Sequence, residues 1–98
     1  MSVLETTSLL DEINALIDAP SVGRAQLERT LTDGYAHALS LETERSRLEK
    51  RVNEVMQRGN STEKAQELTQ LAKRLDGNAG ELSQLREVLA RLRRRVAV

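Results

Sequence analysis

The sequence predicts an all-α fold: a long, coiled-coil-like antiparallel helical hairpin with a short N-terminal helix packed at its open end. The composition is rich in Leu, Ala, Glu and Arg and includes one Tyr but neither Phe nor Trp, which favours helices over sheets. In addition, residues 68–96 carry an apolar seam with heptad spacing, typical of a helix that packs lengthwise against another helix. The seam consists of Leu68, Leu71, Leu75, Asn78, Leu82, Leu85, Leu89, Leu92 and Val96.

The composition also limits the function classes. There is no Cys, so disulfides and Cys-ligated metal sites are excluded. No stretch approaches the roughly 20 apolar residues of a membrane span, and the N-terminus lacks the basic region of a signal peptide. We therefore expect a cytoplasmic protein without membrane contact, and at 98 residues a single domain over 1–98.

A short first helix is expected over about residues 8–18, after a loose lead-in. Ser8 is the candidate N-cap, and Pro20 ends the helix near Asp18 because it disfavours helical geometry at the preceding residue. The apolar face of this helix consists of Leu9, Leu10, Ile13, Leu16 and Ile17. So short a helix is marginal by itself and has to dock on another surface.

A second helix is expected over about residues 21–58. Gly59 and Asn60 stop it, residues 59–61 form the turn, and either Asn60 or Ser61 caps the next helix. Because the connection is tight, the next helix runs antiparallel to the second. The seam of the second helix consists of Leu27, Leu31, Gly34, Ala38, Leu41, Arg45, Leu48, Val52 and Val55.

The third helix is expected over about residues 61–96, but residues 76–80 read Asp-Gly-Asn-Ala-Gly, which locally favours a turn. The heptad phase passes through this segment unchanged, which favours one continuous helix that is locally weak or kinked at 77–80. The alternative is a break there that divides the hairpin into four shorter helices.

The polar seam residues Arg45 and Asn78 suggest how the two long helices align. If Val55 faces Leu68, then Gly34 faces Leu89, and Arg45 and Asn78 share one layer. We expect these two to hydrogen-bond, because either one facing Leu would lose its hydration without compensation. Shifting the register by one heptad leaves both without a polar partner.

The apolar face widens toward the open end of the hairpin. A wide face needs a third helix, which is either the first helix of the same chain or a second chain. Since a two-helix hairpin buries little surface, we expect self-association, with a dimeric four-helix arrangement favoured. The candidate interaction surface consists of Leu9, Ile13, Leu16, Ile17, Tyr35, Leu39 and Val88.

Charge is balanced in total but unevenly distributed. The first twenty residues are acidic and contain no Lys or Arg, whereas the C-terminal segment is rich in arginine. Such an arginine cluster offsets a helix dipole or contacts an anionic partner. The candidate contacts are Arg91, Arg93, Arg94 and Arg95.

No pattern of catalytic or metal-binding residues is present. His37 is the single histidine, so we interpret it as a solvated helix residue, and we expect neither a metal site nor a cofactor. The sequence therefore favours a non-enzymatic structural or adaptor module that acts through helix–helix interaction. The alternative function is a small regulator that contacts nucleic acid through its arginine cluster.

Overall fold

The structure, a computed structural model, describes residues 3–19 and 23–97. It confirms the predicted fold class: two long antiparallel helices form a hairpin, and a short N-terminal helix packs on it. The helices are α1 (Val3–Asp18), α2 (Arg24–Met56) and α3 (Thr62–Ala97). The predicted start of the second helix, near residue 21, lies outside the described residues.

The first helix begins earlier than the sequence predicts. For residues 3–7 the expected loose lead-in is wrong, and Ser8 is an exposed residue inside α1 rather than its N-cap. The cause is a set of tertiary contacts, which helix propensity alone cannot predict. Thr6 is buried and forms hydrogen bonds to residues of both α2 and α3. The end of α1 at Asp18 agrees with the prediction.

The turn between α2 and α3 is held by two polar side chains. Ser61 is the N-cap of α3, because its hydroxyl accepts a hydrogen bond from the backbone N–H of Lys64 at 3.1 Å. The ammonium group of Lys64 donates to the carbonyl of Met56, the last residue of α2, also at 3.1 Å. Of the two predicted caps, Ser61 is therefore the one used.

The third helix is continuous through residues 76–80, as the preserved heptad phase predicts. Gly77 and Gly80 face open space, and neither has a positive φ. A turn is avoided because the apolar residues on both sides keep their seam positions: Leu75 is half-buried and Leu82 is buried.

The predicted hydrogen bond between Arg45 and Asn78 is wrong. The predicted register of α2 against α3 is nevertheless observed at Gly34, which lies against Leu89. The Asn78 amide donates to the Leu41 carbonyl at 2.9 Å, and its own side-chain oxygen has no hydrogen-bond partner. Arg45 is exposed and pairs with Glu49 at 3.0 Å. The long arginine side chain reaches solvent, which avoids the cost of burying its charge.

The molecule divides along its length of 59 Å into two parts. We call α1 with residues 24–42 and 81–97 the body, and residues 48–75 the arm. The body core consists of Ile13, Leu16, Leu27, Leu31, Ala38, Leu41, Leu82, Leu85, Val88, Leu89 and Leu92. The arm has a separate, smaller core of Leu48, Val55 and Leu71.

An ion-pair network lies on the surface of the arm. Glu67 on α3 accepts hydrogen bonds from Arg51 at 2.6 Å and from Arg58 at 3.1 Å, both on the α2 side of the hairpin. The hydrogen bond to Glu67 is the main cause that raises the pKa of Arg51 above its ordinary value. Arg58 is exposed and Arg51 and Glu67 are half-buried, so solvent still screens these ion pairs and their contribution to stability is small.

Candidate helix-docking groove

The first helix covers one flank of the hairpin at its open end. Near its N-terminus Thr6 contacts His37 and Glu81, and near its C-terminus the Ile17 carbonyl accepts a hydrogen bond from Arg95. These contacts place α1 parallel to α3 and antiparallel to α2. Of the helices in the described part of the chain, none covers the other flank of the body.

That uncovered flank carries a groove between α2 and α3 of about 770 Å³. Its floor contains Ala38 and Leu89, which belong to the body core. Tyr35 and Leu39 on α2 stand beside this floor with 47% and 64% of their surface exposed. The described lining residues, all from α2 and α3, are Tyr35, Ala38, Leu39, Glu42, Arg86, Leu89, Ala90, Arg93, Arg94 and Ala97.

The groove has this shape because of the residue sizes on the two helices. Ala90 and Ala97 occupy the α3 side of the groove and leave room above the seam. A second depression of about 550 Å³ shares Tyr35, Arg93 and Ala97 and continues to Arg24 at the open end. Together the depressions extend along α2 from residue 24 to residue 42, which is about 27 Å at the helical rise per residue.

The charged edge of the groove is mainly basic. Arg86 forms an ion pair with Glu42 across the groove. Arg94 donates a 3.4 Å hydrogen bond to the Ala90 carbonyl of its own helix. Among the described residues, no ion pair joins Arg93 or Arg94 to a carboxylate.

The structure divides the predicted interaction surface into two sets. Ile13, Leu16 and Val88 are buried in the body core, and Leu9 and Ile17 pack against it, so this set is covered within the chain. Tyr35 and Leu39 form the exposed set. The first helix therefore packs on its own chain, and only the α2 part of the predicted surface is free to meet another molecule.

The structure also divides the predicted arginine cluster. Arg95 is half-buried and donates to the backbone carbonyls of Ile17 and Ala19, where its charge lies at the negative end of the α1 dipole. Arg93 and Arg94 line the groove, while Arg91 is exposed outside it. The four side chains thus face different surroundings rather than one continuous patch.

Sequence reasoning missed the polar cluster of Thr6, His37 and Glu81. The Thr6 hydroxyl donates to Glu81 Oε2 at 2.8 Å, so the His37 Nε2, also at 2.8 Å, must carry a proton and donate to the Thr6 oxygen. His37 is therefore half-buried and hydrogen-bonded, which corrects its interpretation as a solvated residue. One signal in the sequence could have indicated that Thr6 is buried: it lies seven residues before Ile13 and therefore on the same face of α1.

This cluster joins α1 to both long helices. Thr6 is 1% exposed, so its oxygen is closed to any molecule approaching from solvent. Within residues 3–19 and 23–97 there is no group of three His, Asp or Glu side chains placed to hold a metal ion. In the same ranges no helix has both the length and the apolar character needed to cross a membrane.

The comparisons with known proteins yield no relative. The chain matches no protein-family model, no curated protein and no solved structure. The groove, its exposed side chains and its charge are therefore the basis for the functional argument.

Proposed function

We propose that the chain is a cytoplasmic, non-enzymatic interaction module whose α2–α3 groove receives a helix of another protein chain. The observation that supports this proposal is the exposure of Tyr35 and Leu39 beside an apolar floor, on the flank that α1 leaves uncovered. An amphipathic helix that lays its apolar face in such a groove is a common mode of peptide recognition.

The dimensions and energetics of the groove agree with this mode. A length of about 27 Å accommodates a helix of about 18 residues. Full burial of an apolar side chain the size of Leu39 contributes about 1.5–3 kcal/mol. Part of this gain is offset by the entropy lost when two molecules associate, so the affinity depends on how well the guest fills the floor.

Self-association through the same groove is the second form of the proposal. It is favoured by the apolar character of Tyr35 and Leu39, which two copies facing each other would cover together. A two-helix hairpin would leave a large apolar face to be covered by a second chain. Here that face is smaller, because α1 already covers one flank of the body.

Nucleic-acid binding remains the alternative from another functional class, with weaker support. Phosphate contacts need arginines that are free to reach the backbone. Arg95 is engaged with α1, and Arg93 and Arg94 flank an apolar floor. The groove therefore suits a guest with an apolar face better than a phosphate backbone.

The test uses a designed amphipathic peptide of about 18 residues with Leu on one helical face and Gln on the other. We expect it to bind the full chain, measured by fluorescence anisotropy, and Leu39→Gln to weaken binding about tenfold. The matched control is Met56→Gln, because Met56 is similarly exposed (59%) but lies at the end of α2 away from the groove.

Light scattering over a range of chain concentrations distinguishes the two forms of the proposal. A mass that rises with concentration, and returns to the monomer value in Leu39→Gln, supports self-association. A chain that stays monomeric and does not bind the peptide contradicts the proposed function in both forms.

A further inference from the structure

We infer that the guest of the groove is an acidic amphipathic helix, with an apolar stripe and carboxylates along one flank, rather than a second copy of this chain. This inference rests on the proposed function and specifies its partner. The charge at the groove, and the absence of a matching surface among the residues that the structure describes, support it.

The groove carries an excess of positive charge. Three arginines line it against a single carboxylate, Glu42, which Arg86 already pairs. Arg93 and Arg94 therefore hold positive charge beside the floor with no acidic partner among the described residues. A guest helix that buries the floor brings its flanking side chains to these guanidinium groups, and carboxylates meet them with the favourable sign.

This positive charge is concentrated on one side of the groove. Arg86, Arg93 and Arg94 all lie on α3, whereas the α2 side presents the apolar side chains of Tyr35 and Leu39 together with Glu42. The arginine at the far end of the second depression, Arg24 on α2, is paired with Glu28. Complementarity therefore requires an asymmetric guest. Its apolar stripe faces α2 and the floor, and its carboxylates lie on the flank that faces α3.

A second copy of the chain is a poorer guest for the groove than an acidic helix. Two grooves facing each other bring both sets of arginines into one interface, and like charges in an interface disfavour association. The acidic helix of the chain, α1, is the other internal candidate. Its exposed face carries Asp11, Glu12 and Asp18, but its large apolar side chains, where described, are directed toward the body core. That face has nothing to fill the apolar floor.

The experiment compares three peptides that share one Leu stripe and differ only on one flank, which carries Glu, Gln or Lys. Binding to the full chain is measured by fluorescence anisotropy at about 50 mM salt, where screening is weak. We expect the Glu peptide to bind about tenfold tighter than the Gln peptide, and the Lys peptide to bind more weakly than both.

Variants assign this preference to the groove. The double substitution Arg93→Gln with Arg94→Gln is expected to remove the difference in affinity between the Glu peptide and the Gln peptide, mainly by weakening binding of the Glu peptide. Arg91→Gln is the matched control, because Arg91 is an exposed arginine of the same helix outside the groove. Circular dichroism checks that each variant keeps its helices.

The outcomes are distinguishable. If the Gln peptide binds as tightly as the Glu peptide, and Leu39→Gln still weakens both, the groove binds helices but the acidic preference is wrong. If no peptide binds and the chain also stays monomeric at all concentrations, the proposed function itself fails. A dimer that competes with the Glu peptide, or a DNA duplex that displaces it through Arg93 and Arg94, would overturn the inference in favour of another guest.

Discussion

Gly34 and Gly77 are both glycines in the interior of a long helix, and they are there for different reasons. At Gly34 an added Cβ atom would overlap the side chain of Leu89, which is buried on α3. At Gly77 an added Cβ atom would meet nothing. Gly34 thus permits the close approach of α2 and α3 at the floor of the groove, whereas no contact in the structure accounts for Gly77.

We therefore expect opposite effects from the same substitution. Gly77→Ala raises the free energy of unfolding by about 1 kcal/mol, because Ala favours the helix. Gly34→Ala gains the same propensity but overpacks the core, at a cost of about 1–3 kcal/mol, so it lowers the free energy of unfolding by about 1 kcal/mol net. Urea denaturation followed by circular dichroism measures both. Equal stabilisation by the two substitutions would show that Leu89 moves aside freely.

Asn78 shows the limit of residue pairing inferred from sequence. The heptad positions correctly predicted that Asn78 lies in the seam, and the register correctly placed Gly34 against Leu89. The partner of Asn78 was not predictable from side chains alone, because it is the backbone carbonyl of Leu41. Every residue carries a backbone carbonyl, so a sequence pattern does not show which one accepts a hydrogen bond. In addition, a long side chain such as that of Arg45 can extend from a seam position into solvent.

At the scale of the element, the sequence predicted the apolar face and the C-terminal boundary of α1 but not its N-terminal boundary. Leu9, Ile13 and Leu16 repeat with helical spacing, and Pro20 follows the helix closely. The first turn depends on Thr6, whose partners come from two other helices. Local sequence predicts a loop at such a residue, because the contacts that stabilise its helical conformation come from residues distant in the chain.

Thr6→Val tests how far this cluster holds α1. The substitution preserves shape but removes the hydroxyl that bridges His37 and Glu81, so we expect a loss of about 1–2 kcal/mol in the free energy of unfolding. Faster amide hydrogen exchange in the first turns of α1 should accompany the loss. Thr7→Val is the matched control, since Thr7 is exposed on the same turn and should change stability very little. Equal effects of the two substitutions would mean that the cluster contributes nothing to docking.

At the scale of the whole molecule, the sequence predicted the hairpin and its wide open end but not which flank of the body stays uncovered. The widening at Tyr35, Leu39 and Val88 was visible as apolar residues beside the seams. Which of them α1 covers depends on contacts such as Thr6 with Glu81 and Arg95 with Ile17, which join residues far apart in the chain. The groove is the flank that these contacts leave exposed.

The body and the arm differ in how much core they contain. The body buries apolar side chains from three helices, whereas the arm buries three side chains between two helices. The layer between them holds the buried Asn78 and the exposed Arg45, so the apolar seam is interrupted there. A two-helix segment with so small a core opens at lower cost than the body and does not fold without it.

This hierarchy predicts an asymmetric response to two matched core substitutions, Leu71→Ala in the arm and Leu85→Ala in the body, each costing about 2–5 kcal/mol. Arm amides exchange by opening while the body stays folded, so Leu85→Ala should leave their protection unchanged and lower it only in the body. Body amides exchange when the whole chain unfolds, so Leu71→Ala should lower protection in both parts. Native-state hydrogen exchange, read residue by residue, measures this. If Leu85→Ala lowers arm protection as much as body protection, the chain is instead one cooperative unit and the Asn78 layer does not divide it.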